Sequence, residues 1–163
     1  MKILVTVASK YGATAEIGAR IAEVLTARGH DAVSIDPADV RSVEDAGAVV
    51  LGSAVYAGRW QKSAKELVGR IGAECAALPV WLFSSGPVGD PAKPEEDPVD
   101  VAEIAEALAP RDHRVFAGKI VKKQLSFPER AIVAALKVPE GDFRDWAEIE
   151  AWANEIADSL NAG

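Results

Sequence analysis

The sequence predicts a three-layer, doubly wound α/β domain built on a five-stranded parallel sheet. Two observations carry this reading. Short β-branched runs alternate with amphipathic helical patterns along the chain, as βαβ units do. The runs are also almost continuously apolar, the pattern of strands covered on both faces. A length of 163 residues suits one such domain with a sizeable core, and no internal repeat or second domain is evident.

Residues 2–7 form the expected first strand. From 13 to 28, Ile17, Ile21, Val24 and Leu25 recur at helical spacing, and Gly29 follows as a stop signal. Residues 32–35 and 48–51 read as strands two and three. The next helix is expected over 61–72, with Ala64, Leu67, Val68 and Ile71 on one side. Strand four is expected at 79–83, followed by a loop rich in proline and acid. Asp97 offers an N-cap, and Pro98 a favoured first position, for a helix to about Leu108. Strand five is read at 113–117. The last helix starts at Asp145, which has capping-box spacing to Glu148. It carries a buried stripe of Trp146, Ile149, Trp152, Ala153, Ile156 and Leu160.

Composition excludes several classes. Apolar residues make up 49% and charged residues 26%, the balance of a globular protein, and a net charge of −7 opposes nucleic-acid binding. The single cysteine, Cys75, forms no intramolecular disulfide and reads as a buried bystander. His30 and His113 are isolated and read as structural or surface residues. No catalytic triad, paired carboxylates or metal cluster stands out. The opening Met1-Lys2-Ile3-Leu4-Val5 reads as strand rather than export signal, and the most apolar stretch, 46–58, is shorter than a spanning helix. The expected location is cytoplasmic, at most peripheral at a membrane.

Open parallel sheets bind ligands beyond the carboxyl ends of their strands, where strand order reverses. Three loops occupy such positions. Ala8-Ser9-Lys10-Tyr11-Gly12-Ala13-Thr14 leads into the first helix. Its small and hydroxyl residues suit a phosphate at a helix amino end, with Ser9 and Thr14 donating hydroxyls and Gly12 permitting close approach. The spacing fits neither the dinucleotide fingerprint nor the nucleoside-triphosphate loop. Gly52-Ser53-Ala54-Val55-Tyr56-Ala57-Gly58-Arg59-Trp60 suits a planar ring, with Tyr56 as the stacking residue. Trp60 has two readings: flanking that ring, or anchoring the second helix to the sheet. Ser84-Ser85-Gly86-Pro87-Val88-Gly89-Asp90 closes the other side with backbone groups and lacks an aromatic. An aspartate phosphoacceptor domain is rejected, because Ala8-Ser9 and Gly52-Ser53 stand where its acids belong.

Ser9-x-x-Gly12-x-Thr14 resembles the phosphate loop of flavodoxins, with Tyr11 in place of a usual threonine. The Ala-Ser-Lys-Tyr-Gly-Ala-Thr opening, Gly52 to Gly58, Phe116-Ala117-Gly118-Lys119 and Asp145-Trp146 together resemble the flavodoxin-domain family that includes menaquinone-dependent protoporphyrinogen oxidases. The resemblance implies a flavodoxin-like fold and flavin mononucleotide (FMN) as redox centre. The expected binding set is Ser9, Lys10, Tyr11, Gly12, Ala13 and Thr14; Ala54, Val55, Tyr56, Ala57 and Gly58; and Ser85, Gly86, Pro87 and Gly89.

One segment departs from the acidic background. Residues 119–138 carry Lys119, Lys122, Lys123, Arg130 and Lys137 against Glu129 alone, and a helical pattern after Pro128 runs through Ile132, Val133 and Leu136. It reads either as an insertion that packs on the domain and solvates its charges, or as an element for a membrane surface or an acidic substrate. The leading functional reading is an FMN-dependent oxidoreductase with a small-molecule, porphyrinogen or quinone partner. The alternatives are an electron carrier without substrate chemistry, and a module of the same fold that lost the cofactor, for which Tyr11 speaks.

Overall fold

The computed structural model describes residues 1–56, 58–86, 100–135, 137 and 140–162, with Tyr56 described through its backbone. In chain order the elements are β1 (Lys2–Ala8), α1 (Ala13–Ala27), β2 (Asp31–Ile35), β3 (Ala48–Tyr56), β4 (Arg59–Trp60), α2 (Lys62–Cys75) and β5 (Val80–Ser85). Then follow α3 (Val101–Leu108), β6 (Asp112–Phe116), β7 (Lys119–Ile120), α4 (Phe127–Ala135), β8 (Gly141–Asp142) and α5 (Trp146–Ala162). The sheet order is β2-β1-β3-β5-β6, all parallel, with β4 folded back antiparallel on β3. The doubly wound, five-stranded reading holds, and strand order reverses between β1 and β3.

Strand alternation builds two cores. Ile3, Val5, Val7, Trp81 and Phe83 face α1 and α5, while Leu4, Val49, Leu51, Val80 and Leu82 face α2 and α3. Trp152, 1% exposed, meets Phe83 and Phe116 edge-on at 6.0 and 5.5 Å, and its Nε1 donates to the Asp112 carboxylate at 2.9 Å. The α5 stripe is therefore core, with Trp146 half-buried at its edge. Asp145 accepts the Glu148 N–H at 3.1 Å, the expected cap of that helix.

Several boundaries differ from expectation: α2 runs to Cys75 rather than 72, and β5 to Ser85 rather than 83. β3 runs on to Tyr56 rather than ending at Leu51. Gly52-Ser53 is not punctuation there: a Cβ on Gly52 would lie 2.3 Å from the Phe83 ring, so glycine admits that ring while the strand continues. Residues 54–56 thus belong to a strand, not a loop. Asp97 and Pro98 lie outside the described residues, and the residue at the N-cap of α3 is Asp100. The basic segment is an excursion whose base is closed by the antiparallel pairs Lys119–Asp142 and Ile120–Gly141. It returns to the body a few residues later than position 138, and Leu136 within it lies outside the described residues. No helix among the described residues is long and apolar enough to cross a membrane.

Candidate functional site at the strand ends

The loop after β1 is built by its own polar groups. Ser9 Oγ accepts the Gly12 N–H at 3.0 Å, which folds residues 9–12 into a tight turn. Gly12 has φ of 91°, a left-handed conformation, and no described residue lies within 4 Å of where a Cβ would stand. Gly12 is the N-cap of α1, and no side chain among the described residues caps that helix. Its first N–H groups, with the helix dipole behind them, suit an anion. Ala13 opens the first turn and Thr14, 4% exposed, lies buried in it. Because Ser9 Oγ already accepts a bond, its proton remains as a donor.

The next two side chains meet a carboxylate from another part of the chain. Lys10 Nζ lies 2.9 Å from Glu129 Oε2 and 5.4 Å from the Tyr11 ring centroid. The Tyr11 hydroxyl donates to Glu129 Oε1. Glu129 belongs to α4, 118 residues from Tyr11, so the segment between β7 and β8 is fastened to this loop. The same carboxylate accepts the Ser126 N–H at 3.1 Å, while Ser126 Oγ accepts the Glu129 N–H at 3.4 Å. Those two bonds form a capping box at the start of α4. Desolvation pushes the Glu129 carboxyl upward, but hydrogen bonds from Tyr11, Ser126 and Lys10 outweigh it and hold the group at about 2. The bond to Glu129 raises both the Lys10 ammonium and the Tyr11 phenol.

The second loop is a hairpin. Val55 pairs with Trp60 and Tyr56 with Arg59, and Gly58, φ 73°, makes the turn. Ala54 is buried and Val55 half-buried. Ser53 Oγ donates to Ala54 O at 2.8 Å and accepts the Gln61 N–H at 2.9 Å, tying the hairpin to the start of α2. Trp60 is an anchor: it is 3% exposed, and its Nε1 donates to Ser84 Oγ at 2.8 Å. Ser84 in turn contacts His113 Nε2 at 2.8 Å, so that histidine has a structural partner. Ala57 lies outside the described residues.

Ser84 and Ser85 end β5 rather than opening the third loop, and Ser85 is 2% exposed. The Gly86 N–H donates to Phe116 O at 3.3 Å, and a Cβ on Gly86 would stand 3.0 Å from Val55 O. A Cβ on Gly118 would stand 3.1 Å from the Gly86 Cα. The exits of β3, β5 and β6 thus stack backbone on backbone, and glycine is what permits it. Pro87, Val88, Gly89 and Asp90 fall outside the described residues.

Two residues near the first loop went unread in the sequence. One is Glu129; its signal was the Ser126-x-x-Glu129 spacing. The other is Arg144, whose side chain is 4% exposed. Its guanidinium grips Asp142 with two bonds of 2.9 and 2.7 Å, donates to Ala13 O at 3.0 Å, and lies 3.2 Å from Glu16. It also stacks 4.7 Å from the Trp146 ring centroid. Arg144 therefore clamps the first turn of α1 to the base of the insertion. Cys75 is buried, and desolvation followed by Glu74 pushes its thiol up to about 11, which makes it inert.

A family model described as a flavodoxin domain matches residues 4–146. Among solved structures, a cysteine-to-serine mutant of flavodoxin from Pseudomonas aeruginosa aligns at a TM-score of 0.64 and 17% identity, covering 99% of each chain. A flavodoxin from the domain Archaea gives 0.59 and 19%, over 84% of this chain and 99% of its own. Rubredoxin oxygen:oxidoreductase from Desulfovibrio gigas gives 0.65 and 16%; this chain is covered to 99% but spans 36% of that longer protein. At these identities the structural likenesses establish the fold. No curated protein sequence matches. The cofactor is FMN, and the first loop fits its phosphate: an open left-handed glycine, an uncapped helix end and a buried threonine adjoin one another.

Proposed function

The chain belongs to the flavodoxin domain family, and from that premise we propose that it is an FMN-dependent oxidoreductase serving a small organic partner, a quinone or a porphyrinogen, at a membrane surface. FMN supplies the hydride and electron chemistry when bound. The chain supplies position. In this reading Ser9, Gly12, Ala13 and Thr14 hold the phosphate through hydroxyls and helix N–H groups. Val55, Tyr56, Ala57 and Gly58 line one side of the ring, and Ser85, Gly86, Pro87 and Gly89 the other, with Tyr56 as the stacking residue. The close backbone approach of Val55, Gly86 and Gly118 at the strand exits supports this reading.

The observation that carries the reading is the surface of the insertion. Lys122, Lys123, Arg130, Val133 and Ala134 line a cavity of about 310 Å³, and Phe127 and Ile132 stand 85% and 50% exposed on the same helix. Cations around apolar side chains suit anionic lipid headgroups, or the carboxylates of an apolar ring system. The sequence resemblance to menaquinone-dependent protoporphyrinogen oxidases supports the same partner classes. The test is anaerobic: reduce the FMN-loaded protein, mix it with a soluble quinone, and separately offer porphyrinogen to the oxidised form. Turnover of either supports the enzyme.

A second reading is an electron carrier, favoured by the near-complete coverage of flavodoxins that themselves span little more than this domain. A carrier exchanges electrons with a protein partner and turns over neither compound.

A further inference from the structure

The two consecutive loop residues Lys10 and Tyr11 are held by one carboxylate that belongs to another part of the chain. We infer that Glu129 is an affinity-setting residue for the cofactor phosphate: it latches the insertion onto the phosphate loop and opposes phosphate binding there. This rests on the placement of the phosphate around Ser9, Gly12 and Thr14.

The argument is one of charge and position. Tyr11 stands where flavodoxins carry a hydroxyl residue for the phosphate, yet its hydroxyl is given to Glu129. Lys10, the cation of the loop, is given to the same group at 2.9 Å. A phosphate dianion arriving at Gly12 thus meets a loop whose ammonium is neutralised, with an ionised carboxylate one hydrogen bond away. Two anions that compete for one cation weaken each other, and the effect is reciprocal. Phosphate binding loosens the latch, and loosening the latch tightens phosphate binding. The held segment is the one with the basic cavity and the exposed apolar residues, so cofactor loading and release of that surface are linked.

The capping box makes the test clean. Glutamine serves the same box as glutamate, so Glu129→Gln removes the charge and keeps the start of α4. The dissociation constants of FMN and of riboflavin, which lacks the phosphate, are measured by flavin fluorescence for wild type, Glu129→Gln and Thr14→Val. The melting temperature of each apoprotein is recorded alongside. We expect Glu129→Gln to bind FMN about three- to tenfold more tightly, within the range of one screened charge interaction. Riboflavin binding should not change, and the apoprotein should melt at a lower temperature. Opposite signs for apoprotein stability and FMN affinity are the signature of the latch. Weaker or unchanged FMN binding by Glu129→Gln overturns the inference, as does an equal gain for riboflavin. Thr14→Val separates the two levels. If it lowers the preference for FMN over riboflavin while Glu129→Gln does not raise it, only the latch fails. If Thr14→Val leaves that preference intact, the phosphate lies elsewhere and both fail.

Discussion

Asp100 stands at the N-cap of α3, yet its carboxylate makes no cap bond; it accepts the Trp60 N–H, with 3.2 Å to each oxygen. Lys65 approaches it at 3.3 Å, and the group is 7% exposed. The start of one helix is therefore used to hold the hairpin that follows β3. Asp100→Ala would leave the Trp60 N–H unpaired in the interior at a cost of about 2–3 kcal/mol, whereas Asp100→Asn keeps an acceptor and loses only the ion pair, about 1 kcal/mol. Urea midpoints of the two variants check the ordering.

The latch has an acid limit. The Glu129 carboxyl sits at about 2 against an ordinary 4.5. A depressed carboxyl contributes stability that is fully present above about pH 4.5 and is lost as the pH falls toward 2. Amide exchange in α4, compared between wild type and Glu129→Gln, should differ at neutral pH. The two should converge in acid.

Arg144 is a buried cation at the first turn of α1. Arg144→Ala strands Asp142 and the Ala13 carbonyl, and we expect about 3 kcal/mol of lost stability with weaker FMN binding. Lysine should restore little, because it cannot make two parallel bonds to Asp142 while stacking on Trp146. Thermal melts with and without FMN report both effects.

Membrane contact is tested at Phe127 and Ile132. Both side chains face solvent, so a Phe127→Ser, Ile132→Ser double variant should melt like wild type. Its partition onto anionic vesicles should fall at least about tenfold, the scale of one buried aromatic side chain. Wild-type protein that stays in the supernatant at low salt would remove the membrane from the proposal.

Most of the sheet was legible, because strands buried on both faces are largely apolar, as 2–7 and 79–83 are; the polar Ser84-Ser85 end of β5 looks like loop for the same reason. The helix stripes followed for the same reason. β3 was read short, since Gly52-Ser53 looks like a stop until the Phe83 ring fills the missing side chain's place. The role of Trp60 needed the fold, because its partners Ser84 and Asp100 are 24 and 40 residues away. Tyr11 stood out in the sequence as a departure from the usual threonine. Its partner did not, because a contact across 118 residues leaves no periodicity behind. Asp142 and Arg144 escaped for a similar reason: charges on and beside a short return strand look like ordinary solvated surface.

The chain leaves the body at Lys119 and Ile120 and re-enters at Gly141 and Asp142, directly opposite. Between those points the insertion is an arm, pinned at its neck and, through Glu129, at Lys10 and Tyr11. A pull on α4 is a load that reaches those contacts. One of them is the loop proposed for the cofactor phosphate, so under that proposal a displacement of the arm's tip bears on the phosphate loop.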